Sequence, residues 1–134
     1  MLLCKNYNKV SERAAEIIAD TIKSNKNAKL GLATGSTPLG VYEILVDKYN
    51  KGELDFSSVI TYNLDEYYPI KKTNDQSYHY FMNENLFSKI NVPAENIHIP
   101  DGSSANPEEE CKKYEESISK ELKAFLKFVK EDTP

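Results

Sequence analysis

The chain contains 134 residues, of which 40% are hydrophobic and 28% are charged, and its formal net charge is −4. This length predicts a single domain spanning residues 1–134. Acidic and basic residues are interspersed, so the basic surface of nucleic-acid-binding proteins is missing and no nucleic-acid partner is expected. No apolar run approaches the roughly 20 residues of a membrane span, and the start "MLLCKNYNKV" lacks the apolar core of a signal peptide. We therefore expect a cytoplasmic protein with no membrane partner.

The first half of the chain predicts two helices with a strand between them. These are a helix from the capping residue Ser11 to about Ser24, a strand in "LGLAT" at 30–34, and a helix from Pro38 to about Lys51. One-sided apolar spacing supports both helices. The strand is short and apolar, as in a sheet that is covered on both faces. Pro38 suits a first helical position, and Gly52 is a natural stop.

The second half continues the same alternation. It predicts a strand in "VITYNL" at 59–64, a helix that begins at Ser77, a strand at about 97–99, and a last helix from Pro107 nearly to the end. The pair Asn106-Pro107 supplies a cap followed by a proline at the first helical position. Alternating strands and helices predict an α/β fold with a Rossmann-like parallel sheet, helices on both faces and three βα units.

The turn Thr34-Gly35-Ser36-Thr37 joins the first predicted strand to the second helix. Parallel α/β sheets bind ligands at the carboxyl ends of their strands, and unpaired N–H groups at a helix start attract anions. The turn is therefore a candidate phosphate site. A Gly-Ser-Thr-Pro sequence is also a good helix cap without any ligand, so both interpretations stay open. The ending Gly-Lys-Ser/Thr of a nucleotide P-loop is absent.

An acidic loop, "DEYYPI", follows the second predicted strand. Neighbouring residues of an extended segment point to opposite sides, so Asp65 and Glu66 are not expected to act as a close pair. One can face the cleft as a base while the other makes structural contacts. Alone, the loop could equally be a solvated acidic turn. Beside a phosphate-binding turn, however, a carboxylate can move a proton in the aldose–ketose isomerisation of a small sugar phosphate.

Four segments carry a family resemblance over about residues 2–120. They are "LGLATGSTPLGVYEIL", "FSSVITYNLDEYYPI", "QSYHYFMNENLF" and "VPAENIHIPDGSSANPEEECKKYEESI". They resemble the N-terminal half of the glucosamine-6-phosphate deaminases, so the predicted fold is an incomplete version of that family's fold. The related 6-phosphogluconolactonases share the fold and a similar turn. The pattern Asn-Leu-Asp-Glu-Tyr, with Ser-Tyr and Phe-Met downstream, favours the deaminases.

The resemblance implies conversion of glucosamine 6-phosphate and water to fructose 6-phosphate and ammonia. Asp65 matches the residue that moves a proton between C2 and C1. Thr34, Gly35, Ser36 and Thr37 fall in the turn that helps to hold the phosphate. Glu66 matches an adjoining acid and is a candidate substrate-binding residue. The chemistry needs neither metal nor cofactor. The two cysteines lie far apart without zinc-ligand spacing, and we expect incidental thiols.

The family's ring-opening histidine belongs to a segment beyond the part that this chain resembles. Neither His79 nor His98 matches it, and both are interpreted as structural. Three readings therefore remain besides an active deaminase: a non-catalytic sugar-phosphate-binding module, a truncated remnant, and a protein resembling 6-phosphogluconolactonase. The genomic reading frame beyond Pro134 would help to separate them.

The last predicted helix carries apolar residues at helical spacing: Ile118, Leu122, Phe125, Leu126 and Val129. We expect this face to pack on the open sheet. A membrane-surface helix is the alternative, although glutamates balance its lysines. A sheet of three strands also leaves an unpaired edge and an apolar face, which favours a homo-oligomer.

Overall fold

The computed structural model describes residues 6–25 and 27–132, with side chains described as far as Lys120. Its helices are α1 (Tyr7–Ser24), α2 (Leu39–Asn50), α3 (Tyr78–Asn85) and α4 (Pro107–Asp132), and its strands are β1 (Lys29–Leu32), β2 (Ile60–Asn63) and β3 (Ile97–His98). Short 3-10 turns lie at Phe87–Lys89 and Ala94–Asn96. The predicted alternation of helices and strands is confirmed. Within the described ranges, none of the helices combines the length and apolar character that crossing a bilayer requires.

The three strands form one parallel sheet in the order β1-β2-β3. Leu32 at the end of β1 is opposite Asn63 at the end of β2, and Tyr62 is opposite His98 of β3. The predicted parallel α/β architecture is therefore confirmed. Because β1 and β2 end side by side, the turn after β1 and the acidic loop after β2 leave the sheet at neighbouring points.

Two predicted helix starts are wrong by a few residues. Helix α1 begins at Tyr7, and Asn6 caps it by accepting a hydrogen bond from the Lys9 N–H at 3.0 Å. Ser11 is instead buried inside the helix, where a Cβ built on Gly40 would come within 2.5 Å of its Oγ. Close packing of α1 on α2 thus explains a small polar residue that looked like a cap. Pro38 precedes α2 as its cap residue, one position outside the helix.

The core lies between the sheet and helices α1, α2 and α3. Its largest fully buried apolar side chains are Tyr42, Phe56, Leu45, Met82, Leu86 and Val59. On β2, Thr61 and Asn63 are buried, whereas Tyr62 between them stacks on His98 with ring centroids 4.6 Å apart. This alternation is the period of two expected for a strand with different layers on its two faces.

Helix α4 contributes Tyr114 and Ile118 to the surroundings of the sheet. The Tyr114 hydroxyl hydrogen-bonds to the carbonyls of Asn63 and His98. Ile118 borders an apolar groove of about 440 Å³ that runs along β1 and includes Tyr62 and Leu64. The predicted packing of Leu122, Phe125, Leu126 and Val129 lies outside the described side chains.

Candidate active site

Two tyrosines anchor the turn after β1. The buried Tyr42 hydroxyl donates to the Ala33 carbonyl, and burial raises the pKa of Tyr42 to about 12. The Tyr7 hydroxyl accepts the Gly40 N–H at 2.9 Å and lies 3.1 Å and 3.0 Å from the carbonyl oxygens of Ser36 and Thr37. These contacts fix the backbone on both sides of the turn through side chains that lie outside it.

The turn itself presents unused hydrogen-bond donors. Gly35 has φ +93°, a left-handed conformation that favours glycine. Among the described residues, the backbone N–H groups of Gly35, Ser36 and Thr37 have no hydrogen-bond partner, and the side chains of Ser36 and Thr37 are exposed. Unpaired donors at the start of a helix are the arrangement that binds phosphate and other anions.

Asn63 fixes the end of β2 against the end of β1. It is 1% exposed, and its Nδ2 donates to the Leu32 carbonyl at 3.0 Å. The Tyr114 hydroxyl hydrogen-bonds to its carbonyl oxygen from α4, and burial is the main cause of the raised pKa of Tyr114. Within the described part of the chain, Asn63 Oδ1 has no partner. The strand end that leads into the acidic loop is therefore held in place on both sides.

Asp65 lies two residues after this anchored strand end and is exposed. Among the described residues, no side chain or N–H group hydrogen-bonds to its carboxylate. The preceding Leu64 is 75% exposed. An unengaged carboxylate between the anchored Asn63 and the buried Glu66 side chain is free to accept a proton from a bound ligand.

Glu66, by contrast, is turned into the protein, with a side chain that is 1% exposed. Its Oε1 accepts the N–H groups of Tyr67 at 2.9 Å and Tyr78 at 2.8 Å, and its Oε2 accepts the His79 N–H at 3.1 Å. The His79 ring Nδ1 lies 2.7 Å from Oε2. Burial acts to raise the pKa of Glu66, but the hydrogen bonds from Tyr78, His79 and Tyr67 outweigh it and lower the pKa.

The substrate contact predicted for Glu66 stays a prediction. A carboxylate offers about four lone-pair positions, and in this structure four donors from the protein bind to that of Glu66. The prediction that Asp65 and Glu66 do not act as a close pair agrees with their different surroundings. Only the family resemblance distinguished the two acids in the sequence, since the partners of Glu66 come from residues 12 and 13 positions further along the chain.

Gly102, in the loop between β3 and α4, packs tightly against the acidic loop. Its carbonyl accepts the Ile70 N–H at 2.8 Å. A Cβ built on Gly102 would lie 2.2 Å from the Tyr67 carbonyl oxygen and 2.6 Å from Ile70 Cγ2. Because backbone cannot move aside as a flexible side chain can, only glycine fits here.

We expect Gly102→Ala to lower the free energy of unfolding by about 1–3 kcal/mol, the usual cost of overpacking. Urea denaturation at neutral pH measures this. Gly31→Ala is the matched control, because a Cβ at Gly31 meets nothing within 4 Å. Equal stability of the two variants would show that the acidic loop is not packed against Gly102.

Tyr78 is a site residue that sequence reasoning did not identify, although it lies in the quoted segment "QSYHYFMNENLF". Its ring packs against Tyr67 with centroids 4.8 Å apart. A hydrogen bond to the Tyr67 side chain is the main cause of the raised pKa of Tyr78, a hydrogen bond from the Thr34 side chain opposes it, and the Asp65 charge adds to it. The Tyr78 ring is thus held beside Tyr67 of the acidic loop.

The two histidines are both engaged in contacts of the fold. His79 is paired with Glu66, and the His98 ring stacks on Tyr62. Among the side chains that the structure describes, those of residues 6–25 and 27–120, no three from His, Cys, Asp or Glu are grouped so as to hold a metal ion. Cys111 is exposed and unpaired, whereas Cys4 lies outside the described residues. The candidate site therefore consists of a donor-rich turn and an exposed carboxylate that follow adjacent strand ends.

A parallel sheet with a donor-rich turn and an exposed acid at adjacent strand ends defines an α/β protein of the class that binds ligands at the carboxyl ends of its strands. The family described as "Glucosamine-6-phosphate isomerases/6-phosphogluconolactonase" matches residues 5–132. The chain belongs to this family. Its predicted resemblance to the glucosamine-6-phosphate deaminases is therefore confirmed at the level of the family.

Individual relatives agree with this assignment. The chain is 53% identical over 120 residues to the glucosamine-6-phosphate deaminase of Thermoanaerobacter sp. (strain X514), covering 90% of this chain and 47% of the relative. It is 54% identical over 118 residues to that of Clostridium botulinum (strain Alaska E43 / Type E3), covering 88% of this chain and 47% of the relative. This chain therefore spans about half the length of these curated relatives.

Solved structures show the same half-length match. A monomeric glucosamine-6-phosphate deaminase superposes with a TM-score of 0.84 at 39% identity, covering 87% of this chain and 48% of that one. The 6-phosphogluconolactonase of Thermotoga maritima superposes with a TM-score of 0.70 at 27% identity, covering 89% of this chain and 52% of that one. Both activities thus occur on this fold, and the greater identity is to the deaminase.

Proposed function

We propose that this chain forms the phosphate-binding and proton-transferring part of a glucosamine-6-phosphate deaminase. The observation that carries the proposal is the register of β1 and β2, in which Leu32 is opposite Asn63, so that the turn at 34–37 and the loop with Asp65 leave the sheet at neighbouring points. This adjacency supports a single small-molecule site that includes both the turn and the exposed carboxylate. The identity of about half of all aligned residues with named deaminases supports this substrate.

In this proposal the N–H groups of Gly35, Ser36 and Thr37 bind the phosphate on C6. The open-chain sugar then extends towards Asp65, which takes the proton from C2 and delivers it to C1. The C–H bond at C2 breaks and a C–H bond forms at C1. The carbonyl oxygen on C1 gains a proton and the amine nitrogen loses one, so that the amine-bearing carbon becomes an imine. Water hydrolyses the imine to the ketone and releases ammonia. Each step needs only acid–base groups at stated atoms.

The phosphate part of the proposal can be tested without turnover. We expect Gly35→Ala to weaken binding of inorganic phosphate severalfold, since a Cβ at φ +93° strains the turn by roughly 1–2 kcal/mol and displaces its donors. Backbone amide shifts during a phosphate titration measure the affinity.

Gly52→Ala is the matched control, because Gly52 has φ +76° and lies beyond the other end of α2. It carries similar strain but leaves the turn intact. Equal weakening in both variants would contradict a phosphate site at residues 34–37.

A non-catalytic sugar-phosphate-binding module is the second candidate. The observation that favours it is that both histidines of the described part of the chain are engaged, His79 with Glu66 and His98 with Tyr62. It predicts saturable binding of glucosamine 6-phosphate with no ammonia release, whereas hydrolysis of 6-phosphogluconolactone would instead support the lactonase reading.

The cytoplasmic location of the protein stays a prediction.

We also propose that this chain self-associates through the apolar groove beside β1. The groove includes the exposed Leu64. Exposed apolar patches promote association. The deaminase solved as a monomer covers about twice the present length, so it does not predict the state of this chain.

We expect sedimentation to show dimers or larger species of the wild-type chain at moderate concentration, and mostly monomer for Leu64→Asp. Tyr80→Asp is a control at another exposed apolar position, on α3. A stable monomer of the wild-type protein at high concentration would contradict self-association.

A further inference from the structure

A second concave surface lies between α3 and β3, outside the candidate active site. It is a groove of about 510 Å³, and neither the turn at 34–37 nor Asp65 lines it. Small-molecule sites have volumes of roughly 300–1,000 Å³, so the groove has the size of a ligand site. We call it the α3–β3 groove.

One wall of the α3–β3 groove is a stripe of side chains from α3 and the 3-10 turn that follows it. His79, Asn83 and Phe87 line the groove at intervals of four residues. Residues four apart lie on the same face of a helix. The wall therefore changes from polar at His79 to apolar at Phe87, whose side chain is buried.

The opposite wall comes from β3 and is apolar. Ile97 and Ile99 line the groove together with Ala94 from the preceding 3-10 turn. The intervening His98 ring stacks on Tyr62 on the other face of the sheet, as the period of two in a strand requires. These side chains offer a ligand apolar contact but no hydrogen bond.

The polar end of the groove carries a positive charge. The Ser77 hydroxyl donates to the Lys72 carbonyl at 3.0 Å, which holds Lys72 beside the start of α3. Lys72, Thr73 and His79 all line the groove, and none of the residues that line it is acidic. The charge and the hydroxyl donor at this end favour an anion.

The His79 ring keeps one nitrogen for a ligand. Its Nδ1 lies 2.7 Å from Glu66 Oε2, which fixes the orientation of the ring. Among the described residues, Nε2 has no hydrogen-bond partner, and the side chain is 18% exposed. In the imidazolium form both ring nitrogens donate, so the ring can bind Glu66 and a ligand anion together.

Asp101 is the acidic side chain that opposes this charge. Hydrogen bonds from Ser103 are the main cause of the lowered pKa of Asp101, and the charges of Lys72 and His79 add to it. The Asp101 Oδ1 accepts the Ser103 N–H at 3.0 Å and its hydroxyl at 2.7 Å. No described carboxylate forms an ion pair with Lys72, so its ammonium group is available to a ligand.

We propose that the α3–β3 groove binds a small organic anion that carries an apolar body. The charged group lies at Lys72 and His79, and the apolar body lies between Phe87 and the isoleucines of β3. A sugar phosphate fits this groove poorly, because its hydroxyl groups would lose water against walls that offer no hydrogen bonds. The site is separate from the proposed sugar-phosphate site and does not depend on it.

The test titrates three probes into the whole 134-residue chain and follows amide shifts and the ring signals of His79. Benzoate has a charge and an apolar ring, benzamide has the same shape without the charge, and acetate has the charge without the ring. We expect benzoate to bind with a Kd on the order of 1–10 mM, as suits so small a ligand. It should shift the amides of residues 79–83 and 97–99 and the His79 Nε2 signal. Benzamide should bind about three- to tenfold more weakly, the effect of one polar contact, and acetate should give no saturable shift there.

Two variants with matched controls test the two ends of the groove. Lys72→Met should reduce benzoate affinity to that of benzamide and leave benzamide unchanged, whereas Lys71→Met, at an exposed position outside the groove, should change neither. Ala94→Leu fills the apolar part of the groove and should weaken both probes. Ser88→Leu, also exposed and outside the groove, should weaken neither.

The outcomes are distinct. Absence of saturable benzoate shifts at residues 79–83 and 97–99 would overturn the site. Equal affinity for benzoate and benzamide, or an unchanged Lys72→Met, would overturn the role of the anion. Displacement of benzoate by glucosamine 6-phosphate would show that the groove belongs to the sugar-phosphate site, and shifts of the groove amides with protein concentration alone would show that a second copy covers it. Either result would overturn the proposal.

Discussion

The 134-residue chain, assayed by itself, should release little or no ammonia from glucosamine 6-phosphate, and Asp65→Asn should remove any turnover that remains. Asp65 can move a proton only in the open-chain sugar, and opening the ring needs a second acid–base group. In the described part of the chain both histidines are engaged, His79 with Glu66 and His98 with Tyr62. General acid–base groups contribute roughly 10²–10⁴-fold each, so the missing group removes most of the rate.

An ammonia-release assay on purified chain measures this effect. Asp20→Asn is the control, since Asp20 is an exposed carboxylate on α1. Rapid turnover that depends on Asp65 but not on Asp20 would contradict the expected inactivity. It would assign ring opening to a histidine of this chain or to a second copy.

Glu66→Ala should produce the largest loss of stability, about 2–4 kcal/mol, because it leaves several buried donors without an acceptor. Those donors are the N–H groups of Tyr67, Tyr78 and His79 and the His79 ring. Urea denaturation at pH 7 gives the value. Glu84→Ala, an exposed change on α3, should alter stability by less than about 0.5 kcal/mol.

The Glu66 carboxylate should also make the free energy of unfolding depend on pH. The pKa of Glu66 is lowered below its ordinary value of 4.5 in the folded chain. Its stabilisation is therefore fully present above the unfolded pKa and is lost as pH falls through the lower, folded pKa. The difference in unfolding free energy between wild type and Glu66→Gln should shrink on acidification below about pH 4.5. A difference that is constant with pH would mean that the Glu66 charge is not stabilised by folding.

Sequence patterns were sufficient for the architecture because each element carries its own local signal. Alternating helices and strands predicted the parallel sheet, and the turn and acidic loop were correctly placed after β1 and β2. The start of α1 was misplaced because Ser11 has the chemistry of a cap but is needed for its size against Gly40. Packing between two helices does not produce a recognisable pattern in the local sequence of either one.

The functional site was harder to predict from the sequence than the fold, for the same reason. Gly35 and its neighbours are recognisable because a turn between strand and helix has local requirements. Glu66 and Tyr78 acquire their roles only when the start of α3 returns to the end of β2, a contact across 12 residues. The residue types of the pair "DE" do not by themselves distinguish the two acids. The family resemblance assigned proton transfer to Asp65, and the three-dimensional contacts show that Asp65 is exposed and Glu66 saturated.

The central claim is that the turn at 34–37 and Asp65 form one sugar-phosphate site, and amide shift mapping with glucosamine 6-phosphate tests it most directly. We expect shifts at residues 34–38 and 64–66 that saturate together with a single affinity, while inorganic phosphate moves only the first group. Shifts that saturate separately, or that leave residues 34–38 unmoved, would contradict the claim.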